Sequence, residues 1–492
     1  MSTTPPPLQP PEQPSAPGAH PALVALNRVL EGALVLPGDP GWDDARAPWN
    51  LAVDQQPSAV VRPRSVRDLR QVIIAAREAG LGVTVQPRGH GAAADLAGQI
   101  LVRTSAFDEV TVNVVARFAR VGAGVPWGTL LDRLDGTGLI ALAGTNPDVS
   151  VTGYFLSGGH SWFSRWKGLA AHSIRAVELI DGTGVLRRVT KDNDPDLLWG
   201  LRGAGGLFGV VTALEIDLYP APDLFGGKIL FPAESAEVVF GAAAGILLDA
   251  PPELSLFLGL INLPDVEQVP ELLRGRSFTQ VDAVFVGSPD AGSALLAPLL
   301  SIAPVIANLC RPFSIGQLGE VSGEPQEPSA TLDWSRTVGD LDAATIASLV
   351  EAFHTASYAG LSLLQLRPLG GLIGDPMVGA DGVVGHLDAG FMLFAAAILP
   401  PGAPGPDASE RHLVFQPLED TVQAVGVPRA IPSMLTSGQD LGLAFTTADL
   451  QRLADLKQRV DPENLFRSNR PLPSTPRHGG TASGGTASSA LD

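Results

Sequence analysis

A histidine flanked by two glycines follows a short apolar run, at Gly89-His90-Gly91. Glycines let the backbone approach a ligand closely, and successive N–H groups in such a turn can point at an anion, as pyrophosphate binding requires. Taken alone, the pattern is weak evidence, because a histidine in a glycine-bounded loop is more often a surface or hydrogen-bonding residue. Other segments of the chain are needed to distinguish a ligand-binding loop from an ordinary surface loop.

Two further glycine-rich segments are equally ambiguous by themselves. They are Ser157-Gly158-Gly159-His160-Ser161 and Gly203-Ala204-Gly205-Gly206. No GxGxxG opens a helix after the first predicted strand, and no GxxxxGK[ST] is present. The sequence therefore supports neither a Rossmann dinucleotide site nor a P-loop.

Composition and charge exclude several kinds of partner. The 492 residues carry 33 Lys+Arg against 51 Asp+Glu, a net charge of −18, which would repel nucleic acid and anionic membranes. A hydrophobic content of 45% is ample for a large core, and the length indicates two or three domains. The single cysteine, Cys310, rules out an intrachain disulfide and a cysteine metal cluster, and we interpret it as a small buried apolar residue. No metal site is predicted.

The two ends of the chain have the composition of disordered segments. Residues 1–22 are proline-rich, and residues 474–492 are rich in Gly, Ser and Thr, so neither can bury apolar surface. The N-terminal stretch has no basic start or apolar segment of a signal peptide. The most apolar run, residues 390–399, is too short to span a bilayer. We expect a cytoplasmic protein, and the sequence does not predict its oligomeric state.

Short strands and helices must hold the glycine-rich loops in place. A strand is predicted at Ala59–Pro63, followed by a helix that Ser65 caps and Gly80 ends. The next strand, Val83–Gln86, leads directly into Pro87-Arg88-Gly89-His90-Gly91. Further strands are predicted at residues 176–179 and 210–216, and a helix at residues 127–134.

Residues 221–440 have a different sequence pattern, with longer apolar segments that are interrupted by Pro and Gly. Strand-like runs at Leu361–Arg367 and Phe391–Leu399 alternate with helix-like pieces such as Ala343–His354, which indicates a second α+β domain. A final amphipathic helix begins near Thr447 and ends at Asp461-Pro462, because proline cannot continue it.

The order and spacing of these motifs resemble the berberine bridge enzyme-like branch of the vanillyl-alcohol oxidase flavoprotein superfamily, also known as the PCMH-type FAD-binding superfamily. The resemblance covers about 200 residues with high specificity and the middle domain loosely. Its segments are Trp49-Asn50, residues 60–63, residues 83–91, Gly144–Gly159, residues 162–165, residues 168–171, residues 196–212 and Asp461-Pro462-Glu463-Asn464-Leu465-Phe466.

The resemblance implies a two-domain α+β flavoprotein fold. Residues 37–220 and the C-terminal residues 441–472 would form the FAD-binding domain, and residues 221–440 the inserted substrate-binding domain. The implied FAD-binding residues are Pro87, Arg88, Gly89, His90, Gly91, Gly144, Thr145, Asn146, Val149, Ser150, Thr152, Gly153, Gly158, Gly159, Gly209, Val210 and Asn464.

The family's loop histidine, which matches His90, bonds to the 8α carbon of the isoalloxazine. Many relatives add a second bond from a cysteine, whose position falls at Asn146, so the resemblance implies a singly linked flavin. Val149 matches a position that bears on oxygen access, where a small side chain suits oxidases.

The usual catalytic base of the family is missing from both of its expected places. Of the three tyrosines, Tyr154, Tyr219 and Tyr358, none lies in residues 430–466, and the predicted strand at residues 391–399 has no ionisable group. The remaining candidates for catalytic residues, at least one of which we expect to contact the substrate, are Gln365, Arg367, His386 and His160. By the period of two, Leu363, Gln365 and Arg367 share one face of a strand.

Three functions remain open from the sequence. The first is an FAD-linked oxidase that oxidises a small, apolar organic molecule of secondary metabolism and passes electrons to molecular oxygen. The second is a flavin dehydrogenase or oxidative cyclase without external oxygen, which release of hydrogen peroxide would separate from the first. The third is a flavoprotein-fold binding scaffold without redox turnover, which the missing base favours.

Overall fold

The computed structural model describes residues 20–473, except for residues 268, 401–407, 428, 437 and 438. The predicted disordered tail at 474–492 therefore lies outside the described residues, as does most of the predicted arm at 1–22. The last residues of that arm are ordered, however. His20 accepts a hydrogen bond from the N–H of Ala22 and caps a helix that begins at Pro21, with Leu23 and Leu26 buried.

The first half of the chain contains short strands and helices. In chain order they are α1 (Pro21–Val29), β1 (Ala33–Val35), α2 (Trp42–Arg46), β2 (Ala59–Arg62), α3 (Val66–Ala79), β3 (Gly82–Val85), β4 (Gln99–Val102), β5 (Val110–Asn113), β6 (Phe118–Gly122), α4 (Trp127–Leu134), β7 (Leu139–Ile140), α5 (Val151–Leu156), α6 (Ser164–Lys167), β8 (Ile174–Ile180), β9 (Leu186–Thr190), α7 (Pro195–Ala204), β10 (Val210–Asp217) and β11 (Tyr219–Pro220). Short 3₁₀ turns lie at Ala170–Ser173 and Gly205–Leu207.

These strands form two main sheets. The first has the order β1-β2-β4-β3, with β2 and β3 both parallel to β4, and the second has the order β5-β6-β10-β8-β9 and is antiparallel. Helix α3 crosses between β2 and β3, as a parallel pairing requires. Its predicted caps are confirmed, because Ser65 Oγ accepts from the N–H of Asp68 at 3.2 Å and Gly80 ends the helix at a φ of +66°.

The second half of the chain is built on one large sheet. Its elements are β12 (Leu224–Pro232), α8 (Ala236–Asp249), β13 (Leu254–Asn262), β14 (Ser277–Val286), α9 (Pro289–Ile302), β15 (Ala307–Asn308), β16 (Arg311–Phe313), α10 (Gly319–Ser322), β17 (Thr331–Val338), α11 (Ala343–Ser357), β18 (Leu363–Pro368), α12 (Pro376–Gly379), β19 (Phe391–Ile398), α13 (Ala408–Val425) and β20 (Gly426–Val427). Short 3₁₀ turns lie at Ala233–Ser235, Glu271–Leu273, Ile315–Gln317, Gly371–Ile373, Pro432–Met434 and Leu441–Leu443. The antiparallel strand order is β15-β12-β14-β13-β18-β19-β17-β20, and β16 also pairs with β12.

The two faces of this sheet differ in chemistry because side chains alternate along each strand. One face is apolar and packs on helices α8, α9, α11 and α13 through residues such as Leu258, Leu364 and Leu393. The other face carries buried polar side chains, among them Asp282 and Gln365. Burial of the apolar face stabilises the sheet against its helices. The buried polar side chains of the other face are candidates for a functional site.

The final helix, α14 (Thr447–Val460), begins and ends where the sequence predicts. After it, the carboxylate of Asp461 accepts from the N–H groups of Leu465 and Phe466, at 2.9 and 2.8 Å. Phe466 then forms a β-bridge with Val83 of β3. The C-terminal segment is thus tied to the first sheet, next to the strand that leads into the histidine loop.

The sheets of the first half share no strand with the large sheet in the described part of the chain. The exact domain boundaries at 37–220, 221–440 and 441–472 stay predictions, although α1 and β1 pack on the first sheet ahead of residue 37. None of the described helices combines the length and the apolar character needed to cross a membrane.

Candidate functional site

The loop at residues 87–91 begins where β3 ends, and its shape depends on glycine. Gly89 has a φ of +96°, and a Cβ there would lie 2.7 Å from Gln86 Nε2 and 2.8 Å from Pro48 Cβ. The backbone of the preceding segment docks on the same loop, since the N–H of Trp49 donates to the carbonyl of Arg88 at 2.9 Å. The loop is therefore fixed from two sides and leaves no room for a side chain at Gly89.

His90 projects from this loop into a largely buried position. Its ring stacks on Trp49 with the ring centroids 4.2 Å apart and the planes 15° from parallel. Burial, with a smaller effect from the charge of Arg88, lowers the pKa of His90 to about 3. Its Nε2 atom is buried and has no hydrogen-bond partner in the described residues. His90 is thus a neutral imidazole at pH 7 with a ring nitrogen available for a ligand.

A second loop, residues 144–150, lies beside the first. Arg88 and Asp148 join the two loops through an ion pair of 2.7 Å. Both ends of the Asn146 amide have partners within the protein, because Nδ2 donates to the carbonyl of Pro325 at 2.9 Å and Oδ1 accepts from the N–H of Asp148 at 2.8 Å. Asn146 therefore ties this loop to the segment that follows α10.

The end of the second loop starts helix α5. Ser150 caps the helix by accepting from the N–H of Gly153 at 3.3 Å, and the carbonyl of Val149 accepts from the N–H of Trp127 at 2.9 Å. The carbonyl of Thr145 accepts from Ser322 Oγ at 2.8 Å. These are structural contacts, whereas the buried Thr152 Oγ1 has no partner in the described residues and is free for a ligand.

The ring of Tyr154 fills the space between two predicted cofactor glycines. A Cβ on Gly144 would lie 3.0 Å from this ring, and one on Gly159 would lie 2.5 Å from it. Gly158 and Gly159 also have positive φ values, +97° and +68°, which only glycine adopts readily. The hydroxyl of Tyr154 is buried and has no hydrogen-bond partner in the part of the chain that the structure describes. Sequence reasoning overlooked this tyrosine as a site residue.

Three predicted FAD-binding residues have structural roles in the described chain. A Cβ on Gly209 would lie 2.6 Å from the carbonyl oxygen of Ile180, and Val210 is buried where it pairs with Ile180. Asn464 is exposed and takes a φ of +51° in the turn after Pro462, a conformation that asparagine tolerates. Turn and packing geometry account for these residues, and their contact with FAD stays a prediction.

Residues just beyond Asn464 reach the histidine loop instead. Asn469 Nδ2 donates to the carbonyl of Gly91 at 2.6 Å. Arg470 lies beside Gly91 as well, and its Nε donates to the carbonyl of Leu435 at 3.1 Å. No motif of the sequence indicates this contact, because the predicted motif ends at Phe466.

The polar face of the large sheet carries a row of buried side chains. Gln365 and Arg367 share this face as the period of two predicts, and Arg367 Nε donates to Gln365 Oε1 at 2.7 Å. Farther along the sheet, Lys228 and Asp282 form an ion pair of 2.8 Å, with Gln280 adjacent. Burial raises the pKa of Asp282 to about 6. The sequence analysis missed this pair, since only the strand register brings β12 and β14 together.

His160 joins the same region from the first domain. Its Nε2 lies 3.2 Å from the carbonyl oxygen of Pro368, and its Nδ1 is buried without a partner in the described residues. The ring lies 5.6 Å from that of Phe257, and burial lowers the pKa of His160 to about 3. The structure therefore brings together three of the four predicted substrate residues, His160, Gln365 and Arg367.

The fourth, His386, lies elsewhere. Its side chain is exposed, whereas the adjacent Leu387 is buried in an apolar cluster with Leu169 and Met392. Leu387 thus faces the protein interior, whereas His386 faces solvent. The structure gives His386 no contact with the other candidates.

The residues of the two loops fit a flavin nucleotide. Gly89, Gly158 and Gly159 give the loop backbone conformations that only glycine adopts readily, and buried polar atoms without partners in the described residues remain at His90 and Thr152. Unsatisfied buried polar groups are costly, so their presence indicates a ligand that completes them.

Two family comparisons agree with this geometry. Residues 57–190 match the family described as "FAD binding domain", and residues 443–473 match the family described as "Berberine and berberine like". The first range contains both loops, and the second contains the C-terminal helix with Asn469 and Arg470.

Among characterised proteins, (R)-6-hydroxynicotine oxidase of Paenarthrobacter nicotinovorans is 28% identical over 469 residues, which are 89% of this chain and 96% of that protein. Xylooligosaccharide oxidase of Thermothelomyces thermophilus is 27% identical over 299 residues, 58% of each protein. The second match thus spans little more than half of that relative.

The solved structure of Physcomitrella patens BBE-like 1 shares the fold, with a TM-score of 0.80 and 20% identity over 92% of this chain and 100% of that one. The geometry of the two loops and these comparisons lead to one conclusion. The chain is an FAD-linked oxidoreductase with an FAD-binding domain and a C-terminal segment similar to the berberine and berberine-like family.

Proposed function

We propose that this protein is an oxidase whose FAD is bound covalently to His90 and by that one bond alone. The observation that carries the proposal is the state of His90, a buried neutral imidazole that stacks on Trp49 and keeps Nε2 without a partner in the described residues. A neutral imidazole nitrogen has the lone pair that a bond to carbon requires. Protonation would remove that lone pair, and burial prevents it near pH 7.

The single bond follows from Asn146. Its amide has no nucleophilic atom, and both ends of it are occupied by Pro325 and Asp148. The chemistry and the contacts of Asn146 therefore support a single link.

The bound flavin would supply the electron acceptor for oxidation of a small organic substrate, with molecular oxygen as the final acceptor. Val149 is compatible with oxygen access, and the relatives described above are named as oxidases. The protein's own residues would bind and orient the substrate on the polar sheet face, where Phe257 and Phe394 offer aromatic contact around Arg367. This combination suits a mainly apolar substrate. The cytoplasmic location stays a prediction.

A hydrogen-bond acceptor is available in this pocket. The Pro368 carbonyl can only accept a hydrogen bond, so His160 Nε2 carries the hydrogen and Nδ1 is left as an acceptor. With a pKa near 3, His160 is a weak base, so it would orient a substrate O–H or N–H group rather than take up its proton.

The experiment that tests the proposal measures hydrogen peroxide against substrate consumed, for a panel of aromatic alcohols and amines under air. We expect one peroxide per substrate oxidised by the wild-type protein. Turnover only with an added dye acceptor would show a dehydrogenase, and substrate conversion without peroxide or dye would show a cyclase. A flavin that no substrate reduces would favour a binding scaffold.

A further inference from the structure

Arg367 is a buried cation without a charged partner. Its side chain is 5% exposed, and in the described residues its one hydrogen bond runs from Nε to Gln365 Oε1 at 2.7 Å. No carboxylate of the described chain forms an ion pair with it, since Asp282 pairs with Lys228 instead. Burying a charge is costly unless it is paired, so the unpaired end of this guanidinium indicates a missing anion.

The surroundings of Arg367 are aromatic. Its guanidinium carbon lies 5.3 Å from the ring centroid of Phe257 and 5.3 Å from that of Phe394. Trp162 stacks behind Phe257 with the centroids 3.9 Å apart. The rings hold the guanidinium in place by cation–π contact but leave its outer N–H groups without an acceptor.

A second unsatisfied donor lies within range of the same charge. Arg367 acts electrostatically on Tyr154, whose hydroxyl is buried and has no partner in the described residues. Burial raises the pKa of Tyr154, so this hydroxyl keeps its hydrogen and can donate it. Glu324 and Asp282 are the carboxylates that act on Arg367 from a distance, and neither reaches it.

We propose that Arg367 and the Tyr154 hydroxyl bind a carboxylate of the substrate, so that the substrate is a mainly apolar, aromatic molecule with one negative charge. Guanidinium binds carboxylate through paired N–H donors, and a charge-assisted bond of this kind is stronger than a neutral one. The aromatic rings would contact the apolar body, and the sheet would hold the charged end. This inference rests on the proposed function, because only the oxidase activity makes the bound carboxylate compound a substrate.

The test uses two probes of nearly equal shape, benzoate and benzamide, on the purified flavoprotein. Binding is measured by calorimetry and by the change in the visible spectrum of the flavin, without any turnover. The wild-type protein should bind benzoate at least tenfold more tightly than benzamide. Equal affinity for the two probes, or binding of neither, would overturn the proposal.

Variants at both positions assign the effect to these side chains. Arg367→Met should weaken benzoate binding roughly ten- to hundredfold and change benzamide binding less than about twofold, whereas Arg367→Lys should keep part of the preference. Tyr154→Phe retains the ring between the two glycines and should weaken benzoate binding severalfold, which keeps the test valid if Arg367→Met does not fold. Arg452→Met removes the same charge from an exposed side chain over Trp199 and should change neither affinity.

A sulfite titration tests whether Arg367 binds the carboxylate of the substrate or instead stabilises negative charge on the flavin. Sulfite adds to flavin and places negative charge on its ring, so a residue that stabilises that charge affects sulfite affinity. If Arg367→Met weakens sulfite binding tenfold and leaves benzoate binding unchanged, the proposal is wrong. Benzoate selectivity in a protein that releases no peroxide would leave this inference standing and overturn only the oxidase function.

Discussion

The indole of Trp49 stacks on the imidazole of His90 with the ring centroids 4.2 Å apart, and the same indole donates from Nε1 to the carbonyl of Gln326 at 3.3 Å. Gln326 lies in the second half of the chain, after α10. The orientation of His90 is therefore linked to the loop that precedes β17 as well as to its own loop. If His90 bonds to the flavin as we propose, Trp49 would be the residue that positions its imidazole for attachment.

Trp49→Leu should slow covalent attachment roughly ten- to hundredfold, because a small misplacement of a nucleophile costs that much in rate. The measurement is the flavin retained on the acid-precipitated protein as a function of incubation with FAD. Trp49→Phe keeps a stacking ring and should attach flavin nearly as fast as the wild type. Equal rates for Leu, Phe and Trp at this position would show that the stacking is irrelevant.

Gly89→Ala should reduce flavin incorporation and destabilise the protein by about 2 kcal/mol or more, through strained backbone and overpacking. The cause is specific, since its Cβ would lie 2.8 Å from Pro48 Cβ at a φ of +96°. Gly98→Ala is the matched control, because Gly98 has a φ of +71° and nothing within 4 Å of a Cβ. Thermal unfolding and bound flavin per protein should separate the two variants; identical losses would mean that backbone conformation alone matters.

Asn146→Ala should lower the free energy of unfolding by about 1–3 kcal/mol while the flavin remains attached. The variant removes the bonds to Pro325 and Asp148, at 2.9 and 2.8 Å, and leaves buried groups unsatisfied. Denaturant unfolding and the flavin content of the denatured protein are the two measurements. Asn113→Ala removes an exposed turn contact to Ala116 and should cost less. Release of the flavin from Asn146→Ala on denaturation would show that Asn146 takes part in the attachment.

We predict that His172 contributes to the loss of folding stability at acid pH. Burial, with a smaller effect from Arg202, lowers its pKa from 6.5 to about 4, so the unfolded chain binds this proton at a higher pH than the folded one. Its contribution to stability is complete above pH 6.5 and falls by about 1.4 kcal/mol per pH unit as the pH drops towards 4. His172→Phe should remove this slope and leave those of the other groups unchanged. Denaturant unfolding of both proteins across this range is the measurement, and parallel pH curves would contradict the prediction.

Much of the local structure could be predicted from the sequence. Ser65 and Gly80 delimit α3 by capping chemistry, and proline after Asp461 ends α14, because these signals act within a few residues. The alternation of β18 also placed Gln365 and Arg367 on one face correctly. Such features depend on neighbours in the chain.

Features that depend on strand register could not be predicted in the same way. Lys228 and Asp282 meet only because β12 pairs with β14 in one register, and neither residue has a local signal. Tyr154 has no local signal that marks it as a site residue, since its place between Gly144 and Gly159 is a tertiary contact.

The most direct test of the account is mass spectrometry of the denatured protein after acid precipitation. We expect a yellow pellet and a peptide containing His90 that carries the mass of one flavin, with no second modified peptide around Asn146. His90→Ala, the matched variant, should bind FAD and release all of it into the supernatant. A colourless wild-type pellet with free FAD in solution would contradict the covalent bond at His90.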